Sequence, residues 1–324
     1  MKMTSISDTV HAKILLFGEY TVLLGARGLT IPFSHFSGRL ALPTGEQVTD
    51  LNFARRSHHD LAGYINWLDQ SVVSGSLLPV LDLHRLQKDL GNGLYFESTI
   101  PPGYGLGSSG ALVAALYRTY AIDPIIPGHR LPPGELSKLK TLFAGMESFF
   151  HGTSSGLDPL IGYTGVPLLT EQDGTVMPVA LPQPGENAKG AFFLVNTGMP
   201  RKTAPLVDLF MERCRDKTYK QKIMKELLSL NDVCISHVMN GITEGFEREM
   251  EKLSAFQQEH FRPMIPGIFT EYWENGLDTG DFYLKLLGAG GGGYLLGYAR
   301  DYSRAVIRWQ ELGLDPVPVY GIKK

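Results

Sequence analysis

The sequence predicts two mixed α/β or α+β domains, and three observations carry that prediction. The chain has 324 residues, where one domain commonly takes about 100–200. Strand-like and helix-like apolar patterns are interleaved along its whole length rather than segregated. The segment PQPGENAKG at 182–190 is the best linker in the chain, and strands and helices occur on both sides of it. The expected domains are therefore residues 1–184 and 185–324.

The elements follow in order. HAKILLF, 11–17, reads as a strand, and Gly18-Glu19 and a second apolar stretch, YTVLLG, come after it. Residues 29–43 alternate roughly as a pair of strands. Over 60–90 the spacing is helical, with Leu61, Ile65, Leu68 and Val72, then Leu83, Leu86 and Leu90. GLYFESTIPPG is a strand stopped by Pro101-Pro102. A helix follows over 110–120. A second runs from about 135 to 150 with the stripe Leu136, Leu139, Phe143, Met146 and Phe150, and Gly152 is its stop. VPLLTEQDGTVMPVAL is a hairpin turning at Asp173-Gly174. AFFLVNTG is a buried strand, 204–240 and 244–261 are helical, and FYLKLLGAGGGGYLLGY is strand, glycine loop, strand.

Composition narrows the function. A formal net charge of -3 with 43% hydrophobic residues gives no sign of a nucleic-acid or polybasic membrane partner. Cys214 and Cys234 are the only cysteines, so there is no disulfide framework and no CxxC metal site. No apolar run approaches the ~18–20 residues that span a bilayer, and the amino terminus does not read as a signal peptide. The expectation is a soluble cytoplasmic protein whose assembly, a homodimer included, stays open. The nine histidines form no HExxH. His58-His59 reads as a solvated loop pair, and the two cysteines as core residues on helices.

The most informative stretch is GYGLGSSGALVAALY, 103–117. Gly103, Gly105 and Gly107 allow a backbone that turns its amides inward with no side chain in the way. The helix behind them offers free N–H groups and the positive end of its dipole, which suits phosphate. Ser108 and Ser109 can cap that helix, or one hydroxyl can ligate magnesium. There is no GK[ST], so this is not a Walker A loop. A strand-to-helix turn with a serine cap explains the same residues equally well.

PPGYGLGSSGA resembles the central motif of the GHMP small-molecule kinases. KILLFGEYTVLLG, 13–25, resembles their first motif and KLLGAGGGGYLLGY, 285–298, their third. Within that superfamily the mevalonate kinases come closest, through the spacing of the first motif, through ESFFHGTSSGLD at 147–158 against E…HG-x-x-SG-x-D, and through MPRKT at 199–203. There are three departures from the usual pattern: His11-Ala12 for Pro-Gly, Tyr20 for His, and Gly110 for Ala after the two serines.

The resemblance implies a two-domain α+β architecture, with an N-terminal ribosomal-protein-like βαβ domain that binds ATP and a C-terminal ferredoxin-like domain. It implies ATP and Mg2+ as cofactors and a small-molecule alcohol as substrate. The alcohol would be mevalonate, with a sugar, homoserine, phosphomevalonate or a diphosphomevalonate-type decarboxylation as alternatives. Asp158 would take the alcohol proton and Lys13 would stand beside it. Ser98, Gly103, Gly105, Leu106, Gly107, Ser108 and Ser109 would contact the nucleotide. Ser109 and Glu147 would hold the metal, and Glu19, Tyr20, Arg201 and Thr203 would meet the substrate. The glycines 288–293 would pack on the phosphate loop, and His151 would end its helix. On residues alone, Asp158-Pro159 is a good helix start with Asp as N-cap, Glu147 an exposed glutamate, and Lys13 a strand-start lysine with a solvated head.

Overall fold

The structure is a computed structural model, and it describes residues 7–43, 50–127, 133–183, 189–200, 203–242 and 244–321. The chain divides into two compact units. The first comprises Met1–Lys13, Pro32–Pro102 and Leu106–Val166, and the second Ile14–Ile31, Gly103–Gly105 and Pro167–Lys324. Residues 184–188 of the expected linker lie outside the described residues.

Strands β1 (Val10–Phe17) and β2 (Gly28–Ala41) each contribute residues to both units. The expected strand pair over 29–43 is thus one strand. Of its neighbours β1, Tyr95–Ser98 and Leu168–Thr170, the last two use different ends of it, so Pro32 falls in neither of those two pairings. In the first unit Gly38–Ala41 pairs with β3 (Tyr95–Ser98). Gly38 has no room for a side chain there, because a Cβ would lie 2.3 Å from the Phe96 ring.

Helix α1 (Leu51–Val73) is capped by Asp50, whose carboxylate accepts the N–H groups of Asn52 and Phe53. It buries Leu61, Ile65 and Leu68 as the spacing predicts, leaves Val72 half-buried and buries Tyr64 besides, but it starts well before residue 60. His58 and His59 therefore lie on a helix and not in a loop, and His58 Nδ1 is 2.8 Å from the Leu94 carbonyl oxygen. Next come α2 (Leu83–Gly91), α3 (Ser108–Tyr120), α4 (Pro133–His151) and α5 (Leu157–Thr164). Gly152 ends α4 as expected, with φ +70° and its N–H donated to the Ser148 carbonyl at 2.7 Å. Helix α3 is buried over Ala111, Val113, Ala114, Ala115 and Leu116. It meets α5 through small residues, since a Cβ on Gly110 would fall 2.6 Å from the Asp158 carbonyl carbon.

In the second unit, Thr21–Leu24 forms a 3-10 turn and Gly28–Thr30 pairs with β4 (Leu168–Thr170). Strand β5 (Val176–Pro178) completes the expected hairpin, with Gly174 at φ +80°. Strands β6 (Ala191–Asn196), β7 (Tyr283–Leu286), β8 (Tyr294–Ala299) and β9 (Val317–Gly321) form an antiparallel sheet in the order β7-β8-β6-β9. Between β6 and β7 the chain runs through α6 (Thr203–Arg213), α7 (Lys217–Lys222), α8 (Leu228–Asn240), α9 (Phe246–His260) and α10 (Thr270–Thr279). Between β8 and β9 it forms α11 (Tyr302–Glu311). Strand, helices, strand, strand, helix, strand in that sheet order is the ferredoxin-like arrangement.

The long helical stretch expected over 204–240 is three helices joined in part by a π-helical turn at Ile223–Leu227. Cys234 is buried on α8 as expected. Cys214 is buried one residue beyond the end of α6. Among the described residues no helix is long and apolar enough to cross a membrane.

Candidate active site

The first unit gathers Lys13, Ser109, Glu147 and Asp158 from four separate elements. Lys13 is fixed on β1 by its own N–H, which donates to the Leu106 carbonyl at 3.0 Å. Its Nζ lies 3.0 Å from Asp158 Oδ1. Gly107 leaves room for this pair: a Cβ there would be 2.8 Å from Lys13 Cγ and 3.5 Å from Asp158 Oδ2. Gly107 has φ +76°, and Gly103 and Gly105 have φ +80° and +79°. These are left-handed conformations that glycine adopts at least cost.

Two expected caps are corrected. The N-cap of α3 is Gly107 with no side-chain cap bond, not Ser108 or Ser109. Ser109 Oγ instead donates to Glu147 Oε1 at 2.9 Å and lies 3.1 Å from His151 Nε2. The first-turn amides of α3 are thereby left for an outside acceptor. The N-cap of α5 is Gly156, φ +73°, not Asp158. Helix α4 dictates this, because a Cβ at 156 would lie 2.0 Å from the Lys140 carbonyl oxygen. The helix begins two residues early, and the Asp158 carboxylate is free to face Lys13 while keeping the favourable field of a helix N-terminus.

Glu147 is 3% exposed rather than a surface residue. Its Oε2 accepts a hydrogen bond from Ser154 Oγ at 2.5 Å. Burial, and next the Asp158 charge, push its carboxyl up to about 7, against the hydrogen bonds from Ser154 and Ser109 and the Lys13 charge. Two carboxylates thus share one lysine in a half-dry setting.

Ser98 ends β3, and its Oγ accepts the Ile100 N–H at 3.0 Å. It lines a cleft of about 580 Å³ in the first unit together with Ser37, Arg39, Asp50, Phe53 and Tyr95.

The other expected residues belong to the second unit. Glu19 is buried and its Oε1 lies 2.5 Å from Nζ of Lys285, itself fully buried. Burial pushes the Glu19 carboxyl up and the Lys285 amine down, and each opposes the other's shift. Tyr20 has φ +63°, is 4% exposed and donates its hydroxyl to the Ala289 carbonyl at 2.6 Å. Both side chains therefore brace the third glycine motif. That motif packs on the loop at 103–105 as expected, since a Cβ on Gly293 would lie 2.7 Å from the Tyr104 carbonyl oxygen. The Gly293 N–H also donates to the Met199 carbonyl at 2.6 Å. Arg201 and the side chain of Thr203 lie outside the described residues.

Sequence reasoning missed the contacts of His151, Ser154 and Lys285. The first had a signal, since Glu147 and His151 stand four apart on one helix face. Lys285 also had one, as the single charge in an apolar strand. Ser154 had none.

Residues 79–165, which include the central glycine-serine motif, match the family model of the GHMP kinases N terminal domain. It is 26% identical to a mevalonate kinase of Archaeoglobus fulgidus over 88% of this chain and 89% of that one. Its fold is that of solved mevalonate kinases. The Methanococcus jannaschii enzyme aligns with TM-score 0.64 at 18% identity, covering 98% of each chain. The L. major enzyme, solved in complex with R-mevalonate, aligns with TM-score 0.63 at 17% identity, covering 100% of this chain and 99% of that one.

Proposed function

We propose that the chain is an ATP-dependent kinase that phosphorylates mevalonate on its primary hydroxyl, giving 5-phosphomevalonate and ADP. The observation that carries this reading is the Lys13–Asp158 ion pair beside the N-terminal turn of α3, within the unit that also holds Ser109 against Glu147. The mevalonate kinase names of the similar proteins support the choice of acceptor.

Phosphoryl transfer asks a protein for positioning and charge neutralisation rather than covalent chemistry. Asp158 accepts the proton of the attacking alcohol. Lys13 pairs with that carboxylate and holds it in place, and its charge favours the developing alkoxide. The amides of Ser108, Ser109 and Gly110 donate to phosphate oxygens. The cleft lined by Ser98 is the candidate seat of the nucleoside. Glu19 and Tyr20 shape the substrate side through the turn they brace, with Arg201 and Thr203 as the polar contacts for a carboxylate.

A magnesium ion fits the donors present. Ser109 Oγ and a Glu147 oxygen are hard ligands, and Mg2+ takes one or two of these and completes its shell with phosphate and water. The electrostatics agree: a buried carboxylate raised to about 7 beside a second one lacks positive charge. When bound, the metal neutralises the charge of the transferred phosphate. On this reading residues 1–184 form the nucleotide-binding domain and 185–324 the second domain, in a cytoplasmic enzyme.

The test is an ADP-release assay with mevalonate, galactose, homoserine and phosphomevalonate in parallel. Mevalonate should give the highest kcat/KM, and Asp158→Ala should abolish turnover while ATP still binds. Turnover by Asp158→Ala, or activity with a sugar and none with mevalonate, overturns the reading. Carbon dioxide release points to decarboxylation instead.

A further inference from the structure

Resting on the reading of Ser109 and Glu147 as the metal-holding pair, we propose that Ser154 is a positioning residue for the reaction. It fixes the Glu147 carboxylate facing Ser109 and ties it to the turn that carries Asp158. The family resemblance assigns roles to the two ends of ESFFHGTSSGLD and none to this serine, which stands at one of the unspecified positions of the motif.

Both oxygens of the buried Glu147 are held by hydroxyls, Oε1 by Ser109 and Oε2 by Ser154. A serine hydroxyl has one proton to give and two lone pairs to receive. The proton of Ser109 goes to Glu147, so His151 Nε2, 3.1 Å from the same oxygen, meets it as a donor. A cation held by Ser109 Oγ and Glu147 Oε1 would change both of those contacts. The Ser154 contact is on the other carboxylate oxygen, Oε2.

Ser154 is itself anchored from behind. Its Oγ accepts the Gly156 N–H at 3.0 Å. Gly156 is pressed against the α4 backbone and opens α5, two residues before Asp158. Two hydrogen bonds therefore run from the metal-holding carboxylate to the helix start that aims the proton-accepting one. Without them, repulsion from Asp158 acts on an end of Glu147 free to rotate. Hydrogen-bond partners behind a metal ligand set its orientation in this way.

The experiment titrates Mn2+ into the full chain with ATP and no acceptor alcohol, followed by electron paramagnetic resonance. It compares wild type with Ser154→Ala, Ser154→Thr, Ser154→Cys, Glu147→Ala and, as a loop control, Thr153→Ala. Ser154→Ala should raise the Mn2+ Kd about 10-fold. Ser154→Thr, which keeps the hydroxyl, should stay within about twofold of wild type, and Thr153→Ala should not differ, since loss of the Ser154 donor alone accounts for the effect. The KM for the alcohol should stay unchanged in Ser154→Ala while the metal concentration needed for half-maximal rate rises.

If Glu147→Ala binds Mn2+ like wild type, the underlying reading of the site falls. If Glu147→Ala loses Mn2+ but Ser154→Ala keeps wild-type affinity, the inference about Ser154 alone is refuted. Should Ser154→Ala fail to fold, Ser154→Cys decides: its thiol is a weak donor, and wild-type Mn2+ affinity in that variant overturns the proposal.

Discussion

Replacing Glu147 by Gln should make the metal-free protein more stable at alkaline pH while destroying its activity. In the fold the Glu147 carboxyl is raised from 4.5 to about 7, by burial first and by Asp158 second. At about 1.4 kcal/mol per unit, a fully ionised Glu147 costs the fold on the order of 3 kcal/mol. The sign follows from proton counting. Between pH 4.5 and 7 the folded chain holds a proton that the unfolded chain has released, so stability falls as pH rises through that window and is level above it. Gln carries no charge and keeps one oxygen for a serine hydroxyl, so the Gln variant lacks this slope.

The assay is urea unfolding of both proteins at pH 5 and pH 8 with a chelator present. The stability of the variant relative to wild type should grow by about 2 kcal/mol between the two conditions. Magnesium with ADP should narrow the gap at pH 8, because ligands that bind only the folded wild type stabilise it. A difference between the proteins that is the same at both pH values would falsify the account of a charged, desolvated Glu147.

Two further predictions concern packing and burial, one in each unit. Gly110→Ala, although the related kinases usually carry Ala there, should destabilise by about 1–3 kcal/mol, because its Cβ meets the α5 backbone at Asp158 and Pro159 at 2.6–2.7 Å. It should also lower kcat more than a remote mutation of equal cost, and thermal melts read beside steady-state rates will tell; an unchanged Tm refutes the packing argument. Lys285→Met should cost about 3–5 kcal/mol by leaving Glu19 buried without its partner. The double variant Glu19→Leu, Lys285→Met should recover most of that in chemical denaturation, and a purely additive loss would show the two charges to be uncoupled.

The sequence by itself determined the class of fold and picked out Lys13, Ser109, Glu147 and Asp158, which the first unit brings together. Short strands between helices, the Asp173-Gly174 turn and the glycine clusters are local signals, and local physics honours them. Lys13, Ser109, Glu147 and Asp158 were legible because motifs name residues whose chemistry is fixed by their type.

What each of those residues does with its hydrogen bonds was decided only by tertiary structure. Ser109 reads as a cap, yet it spends its proton on a glutamate 38 positions away. Asp158 reads as an N-cap, yet α4 forces the helix to start at Gly156 and turns the carboxylate to Lys13. Tyr20 and Glu19 read as turn residues on the substrate side, and only the structure shows that they also brace a glycine loop some 269 and 266 residues along the chain from them. Ser154 carries no pattern at all. A side chain's partner depends on which distant backbone comes within 3 Å, and burial then sets what an unpaired charge costs; neither distance nor burial is encoded in neighbours along the chain.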